Sequence, residues 1–156
     1  MRKHEQGVYS VEFAIVGMVF FVVLFAVFEV GRLFFTWNVI TEVSRRVARL
    51  AVVCDFDQAN QLVDSNAVLF AVNDLAPLIP GFSAANVSVS YLTEEGVLAA
   101  SYSDIDLVRA EVVNYQHQFL VPGLSFTLNA PGFASTLPRE SLGVTRWGYT
   151  VCDGNE

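Results

Sequence analysis

At 156 residues the chain has room for one modest domain and a membrane anchor. Its formal charge of -7 and its single lysine, Lys3, leave no basic surface to gather phosphates, which excludes DNA and RNA as partners. Apolar residues make up 53% of it and crowd towards the amino-terminal end, the distribution of a membrane-tethered protein.

The first element is an apolar run from Val8 to Phe28, 21 residues in which Glu12 is the one charge. As a helix it covers about 31 Å, which matches the thickness of a bilayer's hydrocarbon core. A cleaved secretory signal is a poorer account, because its apolar core spans about 7–15 residues and ends at a small-residue site, whereas this run ends in FEVGR. A buried helix of a soluble domain is poorer too, since Val19 to Phe25 are apolar on every face. Charge does not set the orientation: Arg2 and Lys3 precede the run, while Arg32, Arg45, Arg46 and Arg49 follow it.

Helical spacing continues past the run, with Ile40, Val43, Val47 and Leu50 three or four residues apart and the arginines mostly on other faces. One helix from Val8 to about Val53 is predicted, roughly 69 Å long, so that its second half leaves the membrane and packs on something. Glu29 and Arg32, three apart, suit a helix-surface pair. Trp37 with Phe34 and Phe35 suits either an interfacial belt or a contact with the rest of the chain.

Asp57 is placed to cap a second helix, Gln58 to Leu75, which Pro77, Pro80 and Gly81 end. Strands are then expected at NVSVSYL, where Val87, Val89 and Tyr91 alternate with serines, and over Asp106 to Gln118, where the apolar phase shifts as at a bulge near Val112 and Val113. LSFTLNA reads as a strand with Leu124, Phe126 and Leu128 inward, and a weaker strand is expected between Val144 and Val151. The fold class is α+β: a long membrane-spanning helix continuing outside the bilayer, a second helix, then a small antiparallel sheet.

The amino-terminal half, GVYSVEFAIVGMVFFVVLFAVFEVGRLFFTWNVITEVSRRVARLAV, resembles the TadE-like pseudopilins of the tight-adherence (Flp) pilus system. Those proteins carry a short charged leader, a glycine, four variable residues, then a glutamate and an aromatic residue at the head of the anchor helix. Here the leader is MRKHEQG ending in Gly7, and the pair is Glu12 with Phe13. VRAEVVNYQHQF and SFTLNAPGFASTLPRE are similar to the family's later strands, and the whole is expected to be pilin-like.

The resemblance implies a cytoplasmic leader over 1–7, cut between Gly7 and Val8 by a prepilin peptidase. It also implies an inner-membrane anchor over 8–28 and an extracytoplasmic, periplasmic α+β domain over 54–156. The chain would then be a minor pilin in the initiation, priming or tip of a filament, and a substrate rather than an enzyme. Its expected partners are the prepilin peptidase, other pseudopilins and the major Flp pilin, the inner-membrane assembly platform and the lipid bilayer. A membrane-anchored periplasmic binding or sensor module is the alternative.

Taken alone, Gly7 would more readily be a helix breaker, and a lone G-x-x-x-x-E is a weak signal; its position between a basic leader and the apolar run strengthens it. Glu12 would lie about 6 Å from the new amino terminus, at the positive end of the helix dipole. By analogy with other pilin-like proteins it would meet the free amine of Val8, in its own or a neighbouring subunit, or else stay as a tolerated interfacial glutamate. Cys54 and Cys152 are either a bridge in an oxidising periplasm, closing a loop worth roughly 4.7 kcal/mol in the chain-entropy account, or two buried thiols. No nucleophile elbow, phosphate loop, zinc motif or cofactor motif occurs. His117 has no second ligand nearby and suits an exposed or hydrogen-bonded strand histidine. The acidic pairs Asp55/Asp57 and Asp104/Asp106 lack the glycine and distal glutamate of a calcium loop.

Overall fold

A computed structural model describes residues 5–54, 56–57, 62–63, 71–120 and 126–149. One continuous helix, α1 (Glu5–Val53), accounts for the amino-terminal third. No proline falls within it, and its polar side chains turn back onto its own carbonyls: the Thr36 hydroxyl donates to the Arg32 oxygen at 2.9 Å and the Thr41 hydroxyl to that of Trp37 at 2.8 Å. Such bonds leave the buried Thr36 with no unmet donor where the helix meets the rest of the protein.

The two halves of α1 differ in what covers them. From Val8 to Phe28 no residue is buried. From Leu33 a buried stripe begins, through Thr36, Ile40, Val43, Ser44, Val47, Ala48, Ala51 and Val52, at the three- and four-residue steps of one helix face. Leu50 lies beside it, partly buried.

That stripe packs on a three-stranded antiparallel sheet of β3 (Val87–Leu92), β4 (Leu107–Val112) and β7 (Ala134–Pro138), in the order β3-β4-β7. Central β4 pairs Val108 with Tyr91 on one side and Leu137 on the other. Ile40, Val43, Val47 and Ala48 meet Val72, Ile79, Phe82, Ala110, Val112 and Tyr115 in one apolar cluster. Ala51 and Val52 meet Tyr91, Ile105, Val108 and Leu142 in a second. Small residues on the helix face let the sheet approach it closely.

The carboxyl end of α1 is closed by a distant loop. The N–H groups of Leu142 and Gly143 donate to the Val52 and Val53 carbonyls at 3.0 and 2.8 Å, so the last helical carbonyls are not left unmet. Leu142 has φ of 45° and Gly143 of 80°, and the left-handed pair turns both N–H groups onto the helix end. Leucine is a costly residue for that conformation. Its side chain is 1% exposed, and the apolar burial offsets the cost.

The predicted architecture is present, a long helix, a short second helix and small antiparallel sheets, with differences in detail. Residues 71–73 are helical, but Asp57 does not cap a helix, because β1 (Phe56–Asp57) pairs with β2 (Leu62–Val63); residues 58–61 and 64–70 of the expected helix lie outside the described residues. The strand expected over Asp106 to Gln118 breaks in two instead of bulging. Asn114 takes φ of 56°, which asparagine tolerates better than most residues, and the chain restarts as β5 (Gln116–Gln118) in a different sheet. The Asn86 side chain holds the break by donating to the Val113 and Asn114 carbonyls at 3.4 and 3.3 Å.

Among the described residues β5 pairs with β6 (Thr127–Asn129) alone, and β6 is exposed throughout, so Phe126 and Leu128 do not point inward; Leu124 lies outside the described residues. The weak strand after Val144 is a hairpin, β8 (Val144–Thr145) with β9 (Gly148–Tyr149). β7 escaped the alternation test because ASTLP carries one large apolar residue, Leu137, and its proline sits at a strand end on the sheet edge.

Candidate functional site

The expected processing residues all lie on the uncovered half of α1. Gly7 is already helical, and a side chain built there would touch nothing within 4 Å. Val8 is 67% and Phe13 80% exposed, and Glu12 is exposed between them. Among the described residues Glu12 has no ion-pair partner, whereas Glu29, Glu42 and Glu111 each hold an arginine. Glycine costs about 1 kcal/mol relative to alanine in a helix, which makes the first turn at Gly7 easier to open into an extended strand than an alanine there would be.

The uncovered half is the one helix in the described chain long and apolar enough to cross a membrane. It fits a single-pass membrane anchor, with large apolar side chains such as Phe20, Phe21, Phe25 and Phe28 presented outward around its circumference.

At the end of that half the rest of the protein takes hold of the helix. Arg32 and Glu29 form an ion pair at 2.7 Å. The same Arg32 guanidinium donates to the carbonyl of Gln118, and the Glu29 carboxylate accepts the Leu120 N–H at 3.2 Å. Two charged side chains thus fasten the β5–β6 hairpin to the helix by backbone bonds. The Arg32 bond holds the Glu29 carboxyl below the usual carboxylate range, with the Leu120 N–H adding to the effect. Spacing alone identifies the helix pair and says nothing of the hairpin, because Gln118 and Leu120 contribute main-chain atoms that carry no residue signature.

His117 sits beneath this fastening, 1% exposed, its Nε2 without a hydrogen-bond partner among the described residues and its ring edge-on to Phe119 at 5.1 Å. It is the strand histidine expected from sequence, in β5, but buried, so the exposed option is corrected. The residue faces the helix because β5 turns after Asn114, and flanking glutamines gave the segment a polar look. Burial, then the nearby Arg32, lowers its pKa below 6.5. An unfolded chain therefore binds more protons than the folded one just below pH 6.5, and stability falls as pH drops through that window. Thermal unfolding of the His117→Gln variant is expected to lose this step between pH 7 and 5, while the parent protein keeps it.

Trp37 packs against the globular part, 6.1 Å from Phe133, and edge-on to Phe34 at the same distance, which settles its two sequence options in favour of packing. Phe34 and Phe35 stay more than half exposed. Arg46 pairs with Glu42 at 2.8 Å on the solvent face. Asp106 accepts the Glu94 N–H at 3.2 Å and Asp104 sits in a 3-10 turn, Tyr102–Asp104, so both act in local turns. Among the described residues no three potential metal ligands come together. Cys54 is 1% exposed at the helix end and is not a free thiol. Cys152 and Asp55 lie outside the described residues.

No curated protein and no solved structure matches the chain. Residues 7–49, which take in both the uncovered half of α1 and most of the half that packs on the sheet, match the family model described as TadE-like protein.

Proposed function

We propose that this chain is a minor pilin of a Flp-type, tight-adherence pilus, cut between Gly7 and Val8 by a prepilin peptidase and then used in filament initiation, priming or at the tip. The TadE-like match points to a Tad pilus-associated protein. The observation that carries the finer proposal is the division of one helix into an apolar half that nothing in the chain covers and a half that anchors a small sheet domain. Lipid would cover the free half before assembly, and helices of neighbouring subunits would cover it afterwards. The amino terminus would be cytoplasmic and the domain periplasmic, with a structural role and no catalytic one. Sequencing the amino terminus of the mature protein is expected to read Val8 first, and Gly7→Leu to leave the leader attached and remove filaments. An intact Met1 in the parent protein would leave the helix as a mere tether.

Cys54 and Cys152 are proposed to bridge the end of the helix to the carboxyl-terminal segment. Alkylation after denaturation without reductant is expected to leave the mass unchanged. Cys54→Ser should cost about 2–4 kcal/mol, the usual worth of a bridge across a long loop; two alkylated cysteines would refute the pairing.

A further inference from the structure

The hairpin fastened at Glu29 lies at the level where the apolar half of the helix ends. If Phe28 is the last residue in hydrocarbon, Glu29 is about 1.5 Å beyond it, and the headgroup zone extends roughly 5–8 Å per leaflet. Leu120, bonded through its N–H to the Glu29 carboxylate, therefore sits within that zone, yet its side chain is 65% exposed. Phe126, on the opposite arm, is 50% exposed, and its ring stacks on Phe119 at 4.2 Å. The Phe119 N–H donates to the Phe126 carbonyl at 3.1 Å, so the two arms present their apolar side chains together.

A second, independent observation concerns charge. From Val112 to Pro138 the sequence has no Asp, Glu, Lys or Arg, although the segment includes the exposed strand β6. A solvent-facing hairpin ordinarily carries charges, and one lying against a bilayer avoids them, because each would have to be desolvated there. The polar side chains of β5 and β6 are glutamines, threonine, asparagine and the buried His117, and Gln116 and Asn129 bond each other across the hairpin at 3.0 Å. Nearby Glu29 and the Nη2 of Arg32 are held by each other and by the hairpin backbone, while the buried Arg32 Nε has no partner among the described residues.

We infer that the β5–β6 hairpin is a second membrane contact, resting Leu120 and Phe126 in the headgroup zone beside the anchor helix. A helix alone leaves the domain free to roll about its own axis; a hairpin touching the same leaflet fixes which side of the domain faces the bilayer. This inference rests on the anchor proposed above for residues 8–28.

The test places single tryptophans in the full chain, in a background of Trp37→Phe and Trp147→Phe, reconstituted in phosphatidylethanolamine and phosphatidylglycerol vesicles carrying brominated lipids. Leu120→Trp is expected to emit at shorter wavelength than a solvent-exposed indole and to be quenched most by bromines near the headgroup. Phe126→Trp repeats the measurement from the other arm should the first variant fold poorly. Native Trp147, 91% exposed on the β8–β9 hairpin, serves as the reference when it is the one tryptophan kept, and should stay unquenched. Phe20→Trp reports the anchor separately and should be quenched by deep bromines. Quenching at position 20 without quenching at 120 and 126 overturns the hairpin contact while leaving the anchor intact. Equal quenching at 120 and 147 also overturns it, and so does a blue shift at 120 that appears only at high protein density, which would assign the surface to a second copy. No quenching at position 20 refutes the anchor and the contact together.

Discussion

Ile40→Ala is expected to cost the extramembrane domain about 2–5 kcal/mol, a large share of the roughly 5–15 kcal/mol that holds a domain of this kind together. Ile40 is fully buried at the centre of the contact between α1 and the sheet, in the cluster that also holds Val43, Val47, Val72, Phe82 and Tyr115. Its truncation leaves a cavity between a rigid helix and a three-stranded sheet, neither of which can collapse easily to fill it. Arg45, on the exposed face of the same helix, is the control, and Arg45→Ala should change stability by no more than about 0.5 kcal/mol. Trp37, against Phe133 at 6.1 Å, reports unfolding by fluorescence in detergent-solubilised protein. A loss for Ile40→Ala no larger than for Arg45→Ala would mean that the domain does not depend on the helix as a core element.

The helix-to-sheet contact was legible because two periodicities announce it. Ile40, Val43 and Val47 recur at helical steps, and Val87, Val89 and Tyr91 at strand steps, so each element shows its buried face in one dimension. What stayed hidden depends on conformation at single residues. Asn114 turns the chain out of the sheet, and its effect on the pattern is a one-residue phase shift, the same signature a bulge leaves. The β1–β2 hairpin hid behind helical spacing, because two-residue strands are too short for alternation to register. β7 is paired along its length with β4 by main-chain bonds, and main-chain bonds leave no trace in residue type.

The residues proposed to function divide along the same line. Gly7 and Glu12 stand out because each breaks or borders an apolar run, where an unusual residue is conspicuous, and Phe13 is picked out only by the family resemblance. The hairpin at Glu29 does not stand out, since its binding groups are the Gln118 carbonyl and the Leu120 N–H. The one sequence signal that could have drawn attention to it is the absence of charge from Val112 to Pro138, a feature of a segment and not of any residue in it.

Glu12→Ala is expected to leave membrane insertion unchanged and to reduce filaments about 10- to 100-fold. An exposed carboxylate near the end of an apolar helix is tolerable at the interface, below the roughly 2.5–3.5 kcal/mol assigned to a charge at the centre of a span, so removing it cannot impair insertion. Its proposed gain lies in assembly. Within the described chain it meets no cation, and the side chains one turn away, Val8, Tyr9, Ile15 and Val16, offer none. A cut after Gly7 would supply one, by turning the Val8 amide into a free amine about 6 Å along the helix, in the same subunit or the next. A charge-assisted hydrogen bond of about 1.5–3 kcal/mol corresponds to the stated range in each assembly equilibrium. Glu12→Gln should fail nearly as badly, because the amide keeps the shape and loses the charge. Glu12→Asp should recover part of the filament count. Filament counts by electron microscopy, beside carbonate extraction to score insertion, test all three. Normal piliation with Glu12→Ala would show that the carboxylate has no part in assembly.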